Sequence, residues 1–456
     1  MSVASRSTLV VHGRLAMRES RLAAGRGGRH GLQIMSFEQA AVRLAGGFAR
    51  PIDDESLRAA IQAALPATPM GELESIKALP GMIDAAADTL HKAWRAGIDL
   101  AARAADHPRL AAIARLEAAV LDQLPPGMMR PLDIVTAATA RIGHAPGVLG
   151  PLEIVGLTEL SPCWRPLLQA LTAHIPVRWT AGPRSVPAWL DGTGVTVAGA
   201  PAHAPVISAA SAATAYHEAI EAMRWARSLL ASGIPASDIA IATASPADYD
   251  DHFLALRADA NIDLHFVHGI RTVATREGQA AAALADIVVR GLSQSRLRRL
   301  AALCRDSGPF ETLPEGWLRV LPTDAPLSTP GAWNRLLARL TPEDWPDGAD
   351  HIATLRTAVE TLVKGSEAAS EIGEAFLKGR ALAIWRKALL AGPAASIDAT
   401  LETLKQDDGL EACVCVAWMP ASALAASPRR FVRLLGLNSS RWPRGIAEDR
   451  LIPDHI

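Results

Sequence analysis

Short apolar, β-branched runs occur near both ends and in the middle of this 456-residue chain, and two long stretches between them carry no strand signal. Ser7-Thr-Leu-Val-Val11 is followed by helical spacing over Arg14 to Ala24. A Gly-rich turn at 25–31, the run Leu32-Gln-Ile-Met35 and a helix opening at Ser36 come next. Strands that alternate with helices are expected to run parallel, because a crossover has room for a helix and a hairpin loop does not. Ser36 with Gln39 three residues on has the form of a capping box, in which the hydroxyl accepts from a free backbone N–H. From Asp53 to about Ile142, Ala and Leu recur at helical spacing, which reads as an all-α insertion. Strand character then returns at Leu152-Glu-Ile-Val155 and Val177-Arg-Trp179, with a helix between, near Trp164 to His174.

The second half repeats the pattern. Residues 183–205 are rich in Pro, Gly and Ala and suit a linker. Val206-Ile-Ser208 is expected to open a second α/β layer. A helix over about Ala213 to Ser232 follows, with Ala219, Met223, Ala226 and Leu230 on one stripe and Gly233 as its C′ residue. Asp238-Ile-Ala-Ile241 and Ile262-Asp-Leu-His-Phe266 read as strands around a helix at about 248–259. Residues 277 to about 405 form a second helical insertion. Glu411 to Ala417 and Phe431 to Gly436 close the layer as strands.

Composition narrows the function classes. The net charge of -1 does not advertise a nucleic-acid binder, so any DNA contact must come from a local patch. Four scattered cysteines are no disulfide framework, which points to a reducing, cytoplasmic compartment. Cys413 and Cys415 are read as core residues of one strand rather than metal ligands. No run of about 18 apolar residues exists, so no membrane span is expected. The first 31 residues hold six Arg and one acid, Glu19, a transit-peptide-like bias, but the Ser7 to Val11 run reads better as a first strand.

The layout resembles that of superfamily-1 helicases. Glu218, Ala222, Leu229-Leu230, Gly233 and Asp238 to Ile241 are similar to the start of the second lobe in UvrD-like members. Asn261 to Gly269 is similar to a later strand of that lobe. Phe431 to Asn438, with Arg441-Trp-Pro443 and Glu448-Asp449-Arg-Leu451, resembles its end. In the first lobe, Gly31 to Phe37 with Ala41 to Leu44, and Gly150 to Leu157 with Leu167-Leu168 and Leu171, look like the AddB-type subunits of recombination helicase-nucleases. The resemblance implies an α/β fold of two RecA-like parallel-sheet lobes, each with a large helical insertion. The first lobe is expected at 1–182 with its insertion at about 53–145. After the linker, the second lobe is expected at 206–456 with its insertion at about 277–405.

The departures from that pattern carry as much weight. A phosphate-binding loop needs Gly-x-x-x-x-Gly-Lys-Ser/Thr, so that backbone N–H groups wrap the phosphates and Lys reaches the terminal ones. Here His12-Gly-Arg-Leu-Ala-Met-Arg-Glu-Ser20 follows the first strand, without the second Gly, the Lys or the hydroxyl. Gly156-Leu-Thr158-Glu159 is the nearest approach to a Mg²⁺-holding acid pair. A PD-(D/E)XK nuclease centre needs a carboxylate followed by an acid-x-Lys, and nothing of that kind follows Pro453-Asp454. The resemblance therefore implies the front part of a longer protein, with the nuclease part absent.

Several residues are candidate contacts. Arg26 and Arg29 in the Gly25–Gly31 turn could hold a phosphate, although a flexible surface turn is the simpler reading. Arg296, Arg298 and Arg299 at a helix start, and Arg429, Arg430 and Arg433 at the entry to the last strand, read equally as DNA-backbone contacts or as solvated faces. Gly13, Arg14 and Glu218 would border a vestigial nucleotide cleft. His217-Glu218-x-x-Glu221 lacks the second His that zinc requires. The tryptophans, such as Trp94, Trp225 and Trp385, fall in helical stripes and are expected in the core. The expectation is a non-catalytic, helicase-like DNA-binding or scaffold module of double-strand-break repair. Its implied partners are single-stranded DNA and an AddA-like motor subunit, with no cofactor in this chain and no membrane. The alternatives are a divergent helicase, which would need ATP and Mg²⁺, and a purely structural partner.

Overall fold

The computed structural model describes residues 6–79, 81–181, 186–199, 204–439, 441–442 and 448–453. Pro443, Asp454 and parts of the expected linker lie outside the described residues. The fold is α/β. The strands are β1 (Ser7–Val10), β2 (Leu32–Met35), β3 (Arg50–Pro51), β4 (Met128–Met129), β5 (Leu152–Val155), β6 (Val177–Ala181) and β7 (Thr196–Gly199). They continue as β8 (Ile239–Thr243), β9 (Leu264–Phe266), β10 (Ile270–Arg271), β11 (Lys405–Gln406), β12 (Val416–Pro420) and β13 (Phe431–Leu435).

Two compact units are present: Met1–Asp53, Asp88–Gly269 and Asp407–Ile456 form one, and Asp54–Ala87 with Ile270–Gln406 form the other. The first unit holds both main sheets. One has the order β2-β1-β5-β6-β7 and the other β13-β8-β12-β9, and every neighbouring pair is parallel. One face of the first sheet presents Val10, Met35, Leu152, Ile154, Val177 and Trp179 to a buried layer. Helix α2 (Phe37–Leu44) and the helices Pro131–Ala140 and Arg165–Thr172 contribute to that layer. The α2 start carries the expected box: Ser36 Oγ accepts from Gln39 N at 3.1 Å, and Gln39 Oε1 accepts from Ser36 N at 3.0 Å. Helix α1 (Arg14–Arg26) sends Leu15 into a separate apolar cluster with Ala240, Ala242, Ala417 and Met419 of the second sheet.

The helical unit is built on its own core. Trp333, Trp385, Phe310 and Phe376 are fully buried, and Phe310 stacks on Trp317 at 5.7 Å. Gly373 lets two helices approach: a Cβ there would stand 2.2 Å from the Trp385 indole, whose N–H donates to Ala369 O at 2.9 Å. Among the described residues no helix is long and apolar enough to cross a membrane.

Several local expectations change. Val206 and Ile207 are not a strand; they lie exposed in an irregular segment. The stretch read as linker contains β7, an edge strand whose side chains face largely outward. The segment expected to be wholly helical contains a short strand, β4, which pairs with β3 just before that segment. Cys413 and Cys415 lie in the turn before β12 rather than on it, because the strand begins only at Val416. Cys415 is buried, and desolvation pushes its thiol above the ordinary range.

Candidate functional site

The connection from β1 to α1 is Val11, His12 and Gly13 alone. Gly13 sits at φ +88° and leaves the helix N-terminus without a side-chain cap, so the first-turn amides of α1 lack the usual local acceptor. Three residues are too few to wrap a phosphate chain as the longer glycine-rich loop does. The neighbouring strand β5 is followed directly by Gly156, which adopts φ +73°. A Cβ there would lie 2.7 Å from Ala426 Cα and 2.8 Å from Ala425 O, so only glycine fits this approach.

Together these ends border an open cleft of about 320 Å³, lined by His12, Gly13, Arg14, Glu159, Ser422 and Ser427 among others. It lies at the carboxyl ends of parallel strands, the usual ligand position in α/β sheets. Arg14 is exposed at its edge. Glu159 is already engaged: it accepts from Trp189 Nε1 at 2.6 Å and Arg165 Nη2 at 3.0 Å. Beside Ser427, Glu19 pairs with Arg429 at 2.5 Å. Burial raises the Glu19 carboxyl above its ordinary value, with Arg429 and Ser427 opposing.

Gly13 and Arg14 thus meet at the cleft, but Glu218 does not line it. Its two oxygens accept from Tyr249 Oη at 2.6 Å and Gly436 N at 2.9 Å, at the carboxyl end of β13. Arg26 and Arg29 are exposed at the opposite end of α1, where the chain enters β2, so they cannot reach the cleft. Arg429 is internal, 5% exposed, and also donates to Ser237 O. Arg430 is exposed and stands over the Phe431 ring, while Arg433 is half-buried on β13. In the helical unit, Arg296 donates to Asp286, Arg290 O and Gly291 O, and Arg298 donates to Leu321 O. Arg299 is exposed.

Two His–Asp pairs near β9 had no signal in the sequence. His265 Nδ1 lies 2.9 Å from Asp408, whose carboxylate also accepts from Phe266 N at 2.7 Å. Asp250 accepts from Trp418 Nε1 at 2.7 Å and pairs with His268 Nε2 at 2.8 Å. The sequence separation of 143 between His265 and Asp408 hides such a pair from any spacing rule. Asp449 likewise accepts from Thr89 at 2.7 Å and Lys92 at 3.0 Å. Among the described residues no group of three or more His, Cys, Asp or Glu is arranged to hold a metal. No protein-family model matches the chain, and no curated protein matches it significantly.

Proposed function

We propose that this chain is a non-catalytic, helicase-like DNA-binding and scaffolding module of the AddB kind, acting in cytoplasmic double-strand-break repair beside an AddA-like motor subunit. The observation that carries the reading is the three-residue β1–α1 connection at the carboxyl end of a parallel sheet. A helicase motor would hold nucleotide at such a sheet end, and the connection here lacks both the length and the Lys that phosphoryl transfer requires. Exposed arginines supply the contacts expected for strand binding: Arg26, Arg29, Arg299 and Arg430. Single-stranded DNA is the proposed ligand. The test is anisotropy of a labelled single-stranded oligonucleotide titrated at several salt concentrations. Affinity should fall with added salt with a log–log slope of about -0.7 per neutralised phosphate. No binding even at low salt would leave the purely structural partner as the better reading.

A second reading, a divergent ATP-dependent helicase, is favoured by the cleft itself, with Arg14 and the uncapped α1 amides at its edge. Anything that binds only the folded state raises its stability. A rise in melting temperature with millimolar ATP and Mg²⁺ would support that reading, and a flat response would remove it.

A further inference from the structure

Helix α2 ends in a two-glycine turn. Gly46 N donates to Arg43 O at 3.3 Å and Gly47 N to Val42 O at 3.0 Å, with φ of +118° and +78°. This pairing satisfies the last helix carbonyls and turns the chain sharply outward. The next residue, Phe48, is 93% exposed. Its loop is braced on the far side, where Arg50 N donates to Gly127 O at 2.8 Å and β3 pairs with β4.

Single exposed apolar residues are ordinary on protein surfaces. The surroundings of this one are not. Arg43 is exposed in the last turn of α2, Arg50 is exposed two residues beyond Phe48, and Arg141 is exposed where the helix Pro131–Ala140 ends. The Arg141 guanidinium lies against the turn: a Cβ added at Gly46 would stand 3.8 Å from its Nε. The two helices share one buried layer through Ala41, Leu44, Ile134 and Ala138. No Asp or Glu occurs from Gln39 to Ile52 or from Ile134 to Leu152. Nearby Arg130, by contrast, is neutralised by Glu117 and Asp133 at 2.9 Å each.

We propose that Phe48, with Arg43, Arg50 and Arg141, forms a subsite for single-stranded nucleic acid, and this rests on the DNA-binding reading above. The ring stacks on one base, and the guanidinium forks hold the flanking phosphates. Unpaired strands offer open base faces, which duplexes do not. One phenyl ring gives too little apolar area to anchor a protein on a membrane.

The test compares binding of oligothymidylate of about 15 nucleotides with an abasic strand of equal length at low salt, using the full chain. Phe48→Ala should weaken binding to the base-bearing strand about ten-fold and leave the abasic strand unchanged, whereas Phe48→Trp should bind both as wild type does. Arg141→Gln should weaken both. The melting temperature of Phe48→Ala should match wild type, because the ring stands in water. Equal affinity of Phe48→Ala and wild type for oligothymidylate overturns the subsite and leaves the DNA-binding reading standing. An equal loss on both strands also overturns stacking. Wild type that binds neither strand overturns both the subsite and that reading. Phe48-dependent sedimentation with phosphatidylserine vesicles would assign the ring to a membrane instead.

Discussion

The Tyr249 hydroxyl donates to Glu218 at 2.6 Å, and the other Glu218 oxygen accepts the Gly436 amide. One carboxylate thereby ties the helix Ala215–Ala231 to the end of β13 and to the residue preceding the helix Asp250–Ala260. Burial, then the Glu218 hydrogen bond, pushes Tyr249 above the ordinary phenol range. Hydrogen bonds to a charged acceptor contribute about 1.5–3 kcal/mol. Glu218→Ala should therefore lose about 2–3 kcal/mol in urea unfolding, and Tyr249→Phe about 1 kcal/mol. Neither should change the response to ATP. An ATP-dependent stabilisation lost in Glu218→Ala would instead tie this residue to nucleotide binding.

The Asp408 carboxyl is held below its ordinary value of 3.8. Desolvation acts to raise it, but hydrogen bonds from His265, Phe266 N and Leu410 N outweigh that. A depressed acid contributes stability above its unfolded pKa and loses it as pH falls through the folded value. Wild type should therefore lose this contribution below about pH 3.8. Asp408→Ala should be less stable by about 2–4 kcal/mol at neutral pH and show a shallower loss in acid. Calorimetry from pH 3 to 7 checks both, and parallel curves would be inconsistent with the pairing.

Charge removal should divide the arginines into two groups. Arg429→Gln leaves Glu19 without its 2.5 Å partner, and Arg296→Gln leaves Asp286 without one of its own, so both should lower the melting temperature. Arg299→Gln and Arg430→Gln should leave stability within about 0.5 kcal/mol and reduce the salt dependence of strand binding. Melting curves beside salt titrations separate these effects.

Gly156→Ala should destabilise by about 2–4 kcal/mol, combining a positive φ with a Cβ crowded by Ala425 and Ala426. Gly28→Ala, also at positive φ but with nothing within 4 Å of its Cβ, should cost about 1 kcal/mol. Equal losses would show that the backbone, not the close approach, decides.

Elements that bury an apolar face were legible in the sequence, because burial imposes a period. The Ser36–Gln39 box, the Ala219–Met223–Ala226 stripe and the buried β8 follow directly from residue order. β7 was hidden because an edge strand with both faces near water needs no alternation. Val206-Ile207 misled for the opposite reason: β-branching fits a pleated surface but does not supply a neighbour to pair with. The cleft was half legible. His12-Gly13-Arg14 and Gly156 to Glu159 could be placed by order, but Ser422, Ser427 and the Glu19–Arg429 pair come together only in three dimensions.

Helix α1 begins at the tip of one sheet and buries Leu15 against the other, with Arg18–Glu411 and Glu19–Arg429 pairs further along it. The same helix therefore belongs to both sides of the cleft. Spreading the cleft would break an apolar seal and two ion pairs at once, so this helix acts as a rivet between the two sheets.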